Sequence, residues 1–354
     1  MNRIVPGVPL DFGAALPSRL AVPCLLVCAL SAAAAVAGRS AWLRLVTALG
    51  GLAAVAAAAA AAADRLTPPG NLVFRIAPGA GCWLLLACAA LLAVDAAMQL
   101  RPGPIARVLG LVICLGATGM AFSRGVFDDL SIMREYAVHA HRFAAEALRH
   151  LELAFGSLAA AVAFALPLGL MCHRLPSLRA PTLSLLNVVQ TIPSIALFGI
   201  LMAPLAALSA AVPLAAKLGI EGIGAAPAVV ALFLYSLLPI VANTALGLQR
   251  VSPAAIEAAR GMGLTEGQIL RGIELPLALP AILAGIRIVL IQNIGLTTIA
   301  ALIGAGGLGT FVFQGIGQTA IDLVLLGALP TVALAVASGV LLDALIESID
   351  RSRA

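Results

Sequence analysis

Charge, lysine and aromatic rings are what this chain of 354 residues has least of: 10% of its residues are charged, 4% are Phe, Trp or Tyr, and Lys217 is its single lysine. Soluble domains carry roughly 25% charged residues, so a water-facing surface over most of the chain is excluded. The formal charge of +5 comes from arginines scattered between apolar runs; nucleic acid, which selects clustered basic residues, is excluded as a partner. The six cysteines, Cys24, Cys28, Cys82, Cys88, Cys114 and Cys172, lie in or at the ends of apolar stretches. Beyond one i,i+4 couple they lack metal-ligand spacing and read as small apolar filler. A GxxxxGK[ST] loop is absent, and Lys217 is out of context for one, so no phosphate-cradling loop of that type is present. No catalytic residue and no metal site are expected.

What the chain does have is apolar length, 62% of it hydrophobic. Crossing about 30 Å of hydrocarbon takes roughly 20 helical residues, whereas a β-barrel would show short alternating segments. No such alternation occurs, and nearly uncharged runs fall at Leu20–Gly38, Leu45–Ala63, Ala80–Met98, Ile105–Phe122, Leu153–Cys172, Ala180–Ala216, Gly222–Gln249, Leu275–Ile321 and Leu323–Leu342. The fold class is therefore an all-α polytopic membrane protein with about nine spans. The start, with "AVAGRS" closing its first apolar run, resembles a signal peptide, but further spans follow at once and an uncleaved helix is expected.

Two parts emerge. Residues 1–122 hold three to four extra transmembrane helices and little that looks like chemistry, whereas residues 151–348 carry prolines, glycines and amides inside the spans. Between them, residues 123–150 place Met133, Tyr136, Ala140, Phe143 and Ala147 at helical spacing, with Glu135/His139 and Arg142/Glu146 as i,i+4 pairs. That pattern predicts an amphipathic linker helix on the membrane surface.

One loop, residues 250–276, interrupts the core. Its "IEAARGMGLTEGQILRGIELP" (Ile256–Pro276) spells two short helices. Ser252 is placed to cap the first, with Pro253 at the first helical position and Gly263 where a left-handed residue would end it. Thr265 and Gln268 form a capping box for the second, which is expected to stop near Pro276. Glu257 beside the small Ala258 and Ala259 offers a rigid handle that another protein can approach closely.

Glu257-Ala258-Ala259, Gly263, Ile273, Leu275 and Pro276 match the spacing of the EAA motif, and at these residues the chain resembles the type I ABC importer permeases. The resemblance implies a five-span permease core whose loop docks on a cytoplasmic ABC ATPase dimer. It further implies a second permease subunit, a periplasmic or external solute-binding protein, and a bacterial plasma (inner) membrane location. ATP and Mg would be used by the partner ATPase, with no cofactor bound by this chain. "QTIPSIALFGIL", "ALFLYSLLPIVANTALGL" and "AGIRIVLIQNIGLTTIAALIGAGGLG" look like the osmoprotectant branch, which imports glycine betaine, choline, carnitine or similar quaternary ammonium compounds. The extra N-terminal spans resemble a longer subgroup of glycine betaine permeases. Another small solute such as an amino acid is the alternative within the class. An ion-coupled secondary transporter is the alternative outside it, but it would require buried acids in the core spans, and none lies at their centres after Leu153.

Polar side chains in the spans mark either a path or interhelical glue. Asn187, Gln190, Thr191 and Pro193, then Tyr235, Pro239, Asn243 and Thr244, then Gln292, Asn293, Thr297 and Thr298 are the candidates for a translocation path. Arg287 should snorkel or pair with an acid, Asp95 should bond a neighbouring helix, and "GAGGLG" (Gly304–Gly309) should form a turn or gate at the external end of a span. If the EAA loop faces the cytoplasm, Arg174, Arg179, Arg250, Arg260, Arg271, Arg351 and Arg353 share its side and Lys217 alone lies opposite, a positive-inside bias. Four spans before this core place the N-terminus outside, unless one segment, such as the alanine run Ala56–Ala63, fails to cross.

Overall fold

In hydrocarbon every backbone N–H and C=O must be satisfied within the protein, which a helix achieves by itself. The computed structural model describes residues 7–37, 40–68 and 75–351, and among them helices account for nearly everything; the one isolated β-bridge joins Ile76 to Leu130. Gly38, the "GR" of the small-residue site, and Arg353 lie outside the described residues. Among the described residues nine helices are long and apolar enough to cross a membrane. The chain forms two compact units, residues 1–140 with 317–323, and residues 141–316 with 324–354.

In the first unit a short helix, α1 (Phe12–Ala15), precedes α2 (Ser18–Ala37), α3 (Ala41–Leu66), α4 (Ala80–Leu100) and α5 (Pro104–Ser123). Small residues set the spacing of α2 and α3: Gly51 backs onto Ser31, whose hydroxyl donates to the Thr47 carbonyl at 2.6 Å. The alanine run at Ala56–Ala63 lies well inside α3, which is long and apolar enough to cross. Asp95 bonds a neighbouring helix as expected, lying 3.5 Å from Arg44 of α3, whose guanidinium also reaches Gln99. Beside the bridge of Ile76 to Leu130, Arg75 pairs with the buried Glu135, and Ser131 donates to Asp322 at 2.7 Å. The cysteines are free thiols; Cys24 and Cys172 are buried, and Cys88 and Cys114 are exposed on apolar helices, as filler would be.

Three boundaries drawn from the sequence need correction. Residues 123–150 are not a separate surface linker, because α6 runs unbroken from Ser131 to Arg174. Neither Gly nor Pro occurs between Ser131 and Phe155 to end it. At about 1.5 Å per residue its 44 residues reach roughly 66 Å, twice the hydrocarbon thickness. The run Ala180–Ala216 is not one helix: α7 (Pro176–Thr191) and α8 (Ser194–Ala211) break at Ile192–Pro193, where proline withholds a donor and its preceding residue takes extended backbone. A short α9 (Pro213–Lys217) follows. The run Leu275–Ile321 is also divided, into α13 (Leu275–Ala300), a 3-10 turn, and α14 (Gly309–Gly317). Gly304 with φ +77 provides the left-handed stop between them.

The core of the second unit centres on α10 (Ala225–Gln249) crossing α13, with α15 (Ile321–Arg351) alongside. The crossing is close because glycine faces it from both sides. A Cβ on Gly247 would lie 2.9 Å from the Ala281 methyl, and one on Gly285 would lie 2.9 Å from the Pro239 carbonyl. Lipid supplies no hydrophobic drive between helices, so such backbone approach is what holds them. Arg287 takes the paired option, forming an ion pair with Asp343 of α15.

Candidate functional site

The loop between α10 and α13 forms the expected two-helix projection, with two differences. In α11 (Pro253–Gly261), Pro253 stands at the first helical turn, but Ser252 caps only through its backbone carbonyl, which accepts from Ala255 at 3.1 Å and Ile256 at 3.3 Å; its hydroxyl makes no cap bond. Gly263 ends the helix with φ +84, and its N–H donates to the Arg260 carbonyl at 2.9 Å. The capping box is complete: the Gln268 N–H donates to the Thr265 hydroxyl, and the Thr265 N–H to the Gln268 amide oxygen at 2.8 Å. The second helix does not stop near Pro276. α12 (Glu266–Ile269) widens into a π-turn, Leu270–Glu274, and continues into α13. The Leu275 N–H reaches back five residues to Leu270, and this wider turn accommodates Pro276, which cannot donate.

Glu257 and Ala258 face outward on α11, whereas Ala259 is fully buried against the body of the unit. Ile273, Leu275 and Pro276 are half-buried where the chain re-enters the bundle. Behind α11 a cleft of ≈ 310 Å³ is lined by Leu248, Val251, Ile256, Glu257, Arg260 and Glu274. A hydrogen bond from Arg260 to Glu266 at 2.7 Å ties the two helices and pushes this guanidinium's proton affinity further up. The arrangement offers a carboxylate and a small methyl on a short rigid helix, which suits docking by a second protein.

The sequence marks Arg174 only as part of the positive-inside bias and leaves Glu274 and its pairing unmarked. Glu274 is 1% exposed, and its carboxylate accepts from Arg174, the last residue of α6, at 2.5 Å. An acid inside the motif spacing, opposite a turn rich in arginine, was the available signal.

The polar residues of the spans divide into two sets. Asn187, Thr191 and Pro193 are exposed on this chain, and Gln190, Asn243 and Gln292 are half-exposed. Tyr235, Asn293 and Thr297 are buried. Gln190 donates to the Tyr235 carbonyl at 2.7 Å and the Tyr235 hydroxyl donates to the Ile192 carbonyl, closing the break between α7 and α8. The Asn243 amide donates to the Pro239 carbonyl at 2.8 Å. Asn293 donates to Ser157 of α6 at 3.1 Å and to Ser236 of α10 at 3.0 Å, joining three helices.

Interhelical bonds of this kind average about 0.6 kcal/mol, and both serines keep bonds to their own helices, to Leu153 and Leu232. Asn293→Ala should therefore lower stability in detergent by about 1–2 kcal/mol, cavity included, while leaving solute selectivity unchanged. Thermal unfolding and competition uptake check this; altered selectivity at unchanged stability would make Asn293 a path residue instead.

Residues 165–354 match the family model "Binding-protein-dependent transport system inner membrane component", and residues 1–133 match "ABC transporter permease YehY, N-terminal domain". The chain is 44% identical over 188 residues to the osmoprotectant import permease protein OsmW of Salmonella typhimurium, covering 53% of this chain and 82% of that one. It is 38% identical over 213 residues to the choline transport system permease protein OpuBD of Bacillus subtilis, covering 60% and 87%. It is 34% identical over 205 residues to the carnitine transport permease protein OpuCB of Listeria monocytogenes, covering 58% and 87%. A solved inward-facing MetNI methionine ABC transporter chain shares the fold, at TM-score 0.51 and 22% identity, covering 58% of this chain and 95% of that one.

Proposed function

We infer the activity of this chain from the family to which it belongs, the binding-protein-dependent transport system inner membrane components. It is a multi-pass permease subunit of an ABC importer in the bacterial inner membrane, a transport subunit and not an enzyme. Its substrate is a quaternary ammonium osmoprotectant such as glycine betaine, choline or carnitine, a reading supported by the names of its relatives. A solute with a permanently cationic ammonium group suits spans whose exposed Asn187 and Thr191 and half-exposed Gln190 are neutral.

The projection carries the mechanism. Two short helices, fixed by a left-handed glycine and a completed capping box, hold Glu257 and Ala258 outward. A cytoplasmic ATPase dimer seats there, binds ATP with Mg, and on closing pushes the core from inward-open to outward-open. A second permease copy or relative completes the assembly, and an external binding protein delivers the solute. The EAA loop and the arginine-rich turn at Arg174 and Arg179 then face the cytoplasm. If α2 to α5 each cross, four spans precede the core and the N-terminus lies outside.

The test is binding of glycine betaine, choline, carnitine and amino acids to the cognate binding protein by calorimetry, followed by uptake into vesicles holding the full assembly. Quaternary ammonium compounds should bind and be transported. Binding of amino acids alone would replace the substrate class while leaving the importer standing.

A further inference from the structure

Two ion pairs join the projection to the end of α6, and a third ties its two helices together. Arg174 lies 2.5 Å from Glu274 in the π-turn and 3.7 Å from Glu266 at the start of α12, and Glu266 in turn holds Arg260 of α11. The links are unequal. Arg260 and Glu266 are both more than half exposed, and such pairs contribute little. Glu274 is 1% exposed and its partner 36% exposed, so losing Arg174 would leave a buried carboxylate without its guanidinium, which proteins tolerate badly. His173, beside Arg174, lies 3.9 Å from the other Glu274 oxygen, so the last two residues of α6 both address this one acid.

From Arg174 the helix continues through Gly169, where a Cβ would lie 2.6 Å from the Thr244 side chain of α10, and past Pro167 within it to Ser157 in the three-helix junction with Ser236 and Asn293. α6 thus meets the projection at one end and packs on α10 and α13 along its length. Covalently the projection joins the spans at α10 and, across the π-turn, at α13, and such π-turns recur at functional sites.

We propose that Arg174 and Glu274 are a positioning pair, a clamp that makes α6 follow the ATPase-driven movement of the EAA projection. The proposal rests on α11 being the ATPase seat. Neither residue touches solute or nucleotide; both act by keeping α6 and the projection in one moving body.

The experiment uses the whole assembly in proteoliposomes with its ATPase and binding protein. Arg174→Met, Glu274→Gln and the double variant are compared for ATPase co-purification, ATP hydrolysis with and without solute-loaded binding protein, and uptake. Assembly and basal hydrolysis should persist, while uptake per ATP falls about tenfold, a coupling change of ordinary size. The double variant should be no worse than the poorer single one, since both remove the same link. A merely structural pair would lower stability and yield but leave uptake per ATP unaltered, and that result overturns the proposal, as would additive losses in the double variant. If Glu274→Gln fails to assemble, Arg174→Met, at the more exposed partner, carries the test. Glu257→Lys and Gly263→Pro run in parallel. If they too leave uptake intact, the ATPase seat is wrong; if they abolish it while Arg174→Met does not, only the clamp falls.

Discussion

Gly263→Pro and Glu257→Lys should each abolish solute uptake while the bundle still inserts and folds. Gly263 stands at φ +84 and gives its N–H to the Arg260 carbonyl; proline fixes φ near about −65° and has no N–H, so α11 and α12 lose their set angle. Space is not the obstacle, because a Cβ at Gly263 would meet nothing within 4 Å. Gly263→Ala should therefore show only the conformational cost of the left-handed region, about 1–2 kcal/mol, and a partial loss. Glu257 is exposed on α11, so lysine there leaves the fold alone but reverses the charge offered to the ATPase, and like-charge contact at an interface costs several kcal/mol. Uptake should rank unmutated, then alanine at 263, then proline at 263 and lysine at 257. Folding is followed by size-exclusion chromatography and coupling by solute-stimulated ATP hydrolysis. Full uptake in Gly263→Pro would remove the projection from the mechanism.

These features were legible because they are local. A glycine after a short helix and a Thr-x-x-Gln box state their geometry within a few residues, and both stand in the structure as read. The misreadings have local causes too. The change from amphipathic to apolar pattern near His150 alters what α6 faces without breaking its backbone. The run Ala180–Ala216 reads as continuous despite Pro193, and Pro276 reads as a helix stop. The first proline marks the break of α7 from α8, and the second is absorbed by the π-turn. What stayed hidden is non-local. The clamp joins residues 100 apart, and whether an amide lines a path or glues helices depends on which neighbours cover it. Asn293 is covered by α6 and α10, from far away in sequence, whereas Asn187 remains exposed.

Gly309→Ala should produce the largest loss of stability of any single methyl added to the core. The run Gly304–Gly309 reads as a turn, and Gly304, Gly306 and Gly307 do adopt positive φ. Gly309 serves differently, since it starts α14 and a Cβ there would lie 2.0 Å from the Thr298 carbonyl oxygen and 2.8 Å from its Cα. Those atoms are backbone within α13 and cannot swing aside as a side-chain end could, so α14 must shift bodily. Overpacking against side chains costs about 1–3 kcal/mol; against fixed backbone the cost should reach or exceed the top of that range. Gly327→Ala, with a Cβ 2.4 Å from the Leu308 carbonyl, should behave alike. Gly295→Ala is the control, because its Cβ meets nothing within 4 Å and it sits inside α13, where alanine favours the helix by about 0.5–1 kcal/mol. Unfolding in detergent followed by fluorescence should show lowered midpoints at 309 and 327 and none at 295. An unchanged midpoint at 309 would mean that α14 does not approach α13 so closely. The positive φ at Gly304, Gly306 and Gly307 would then be the only requirement for glycine in the run, and the turn would be held by conformation alone.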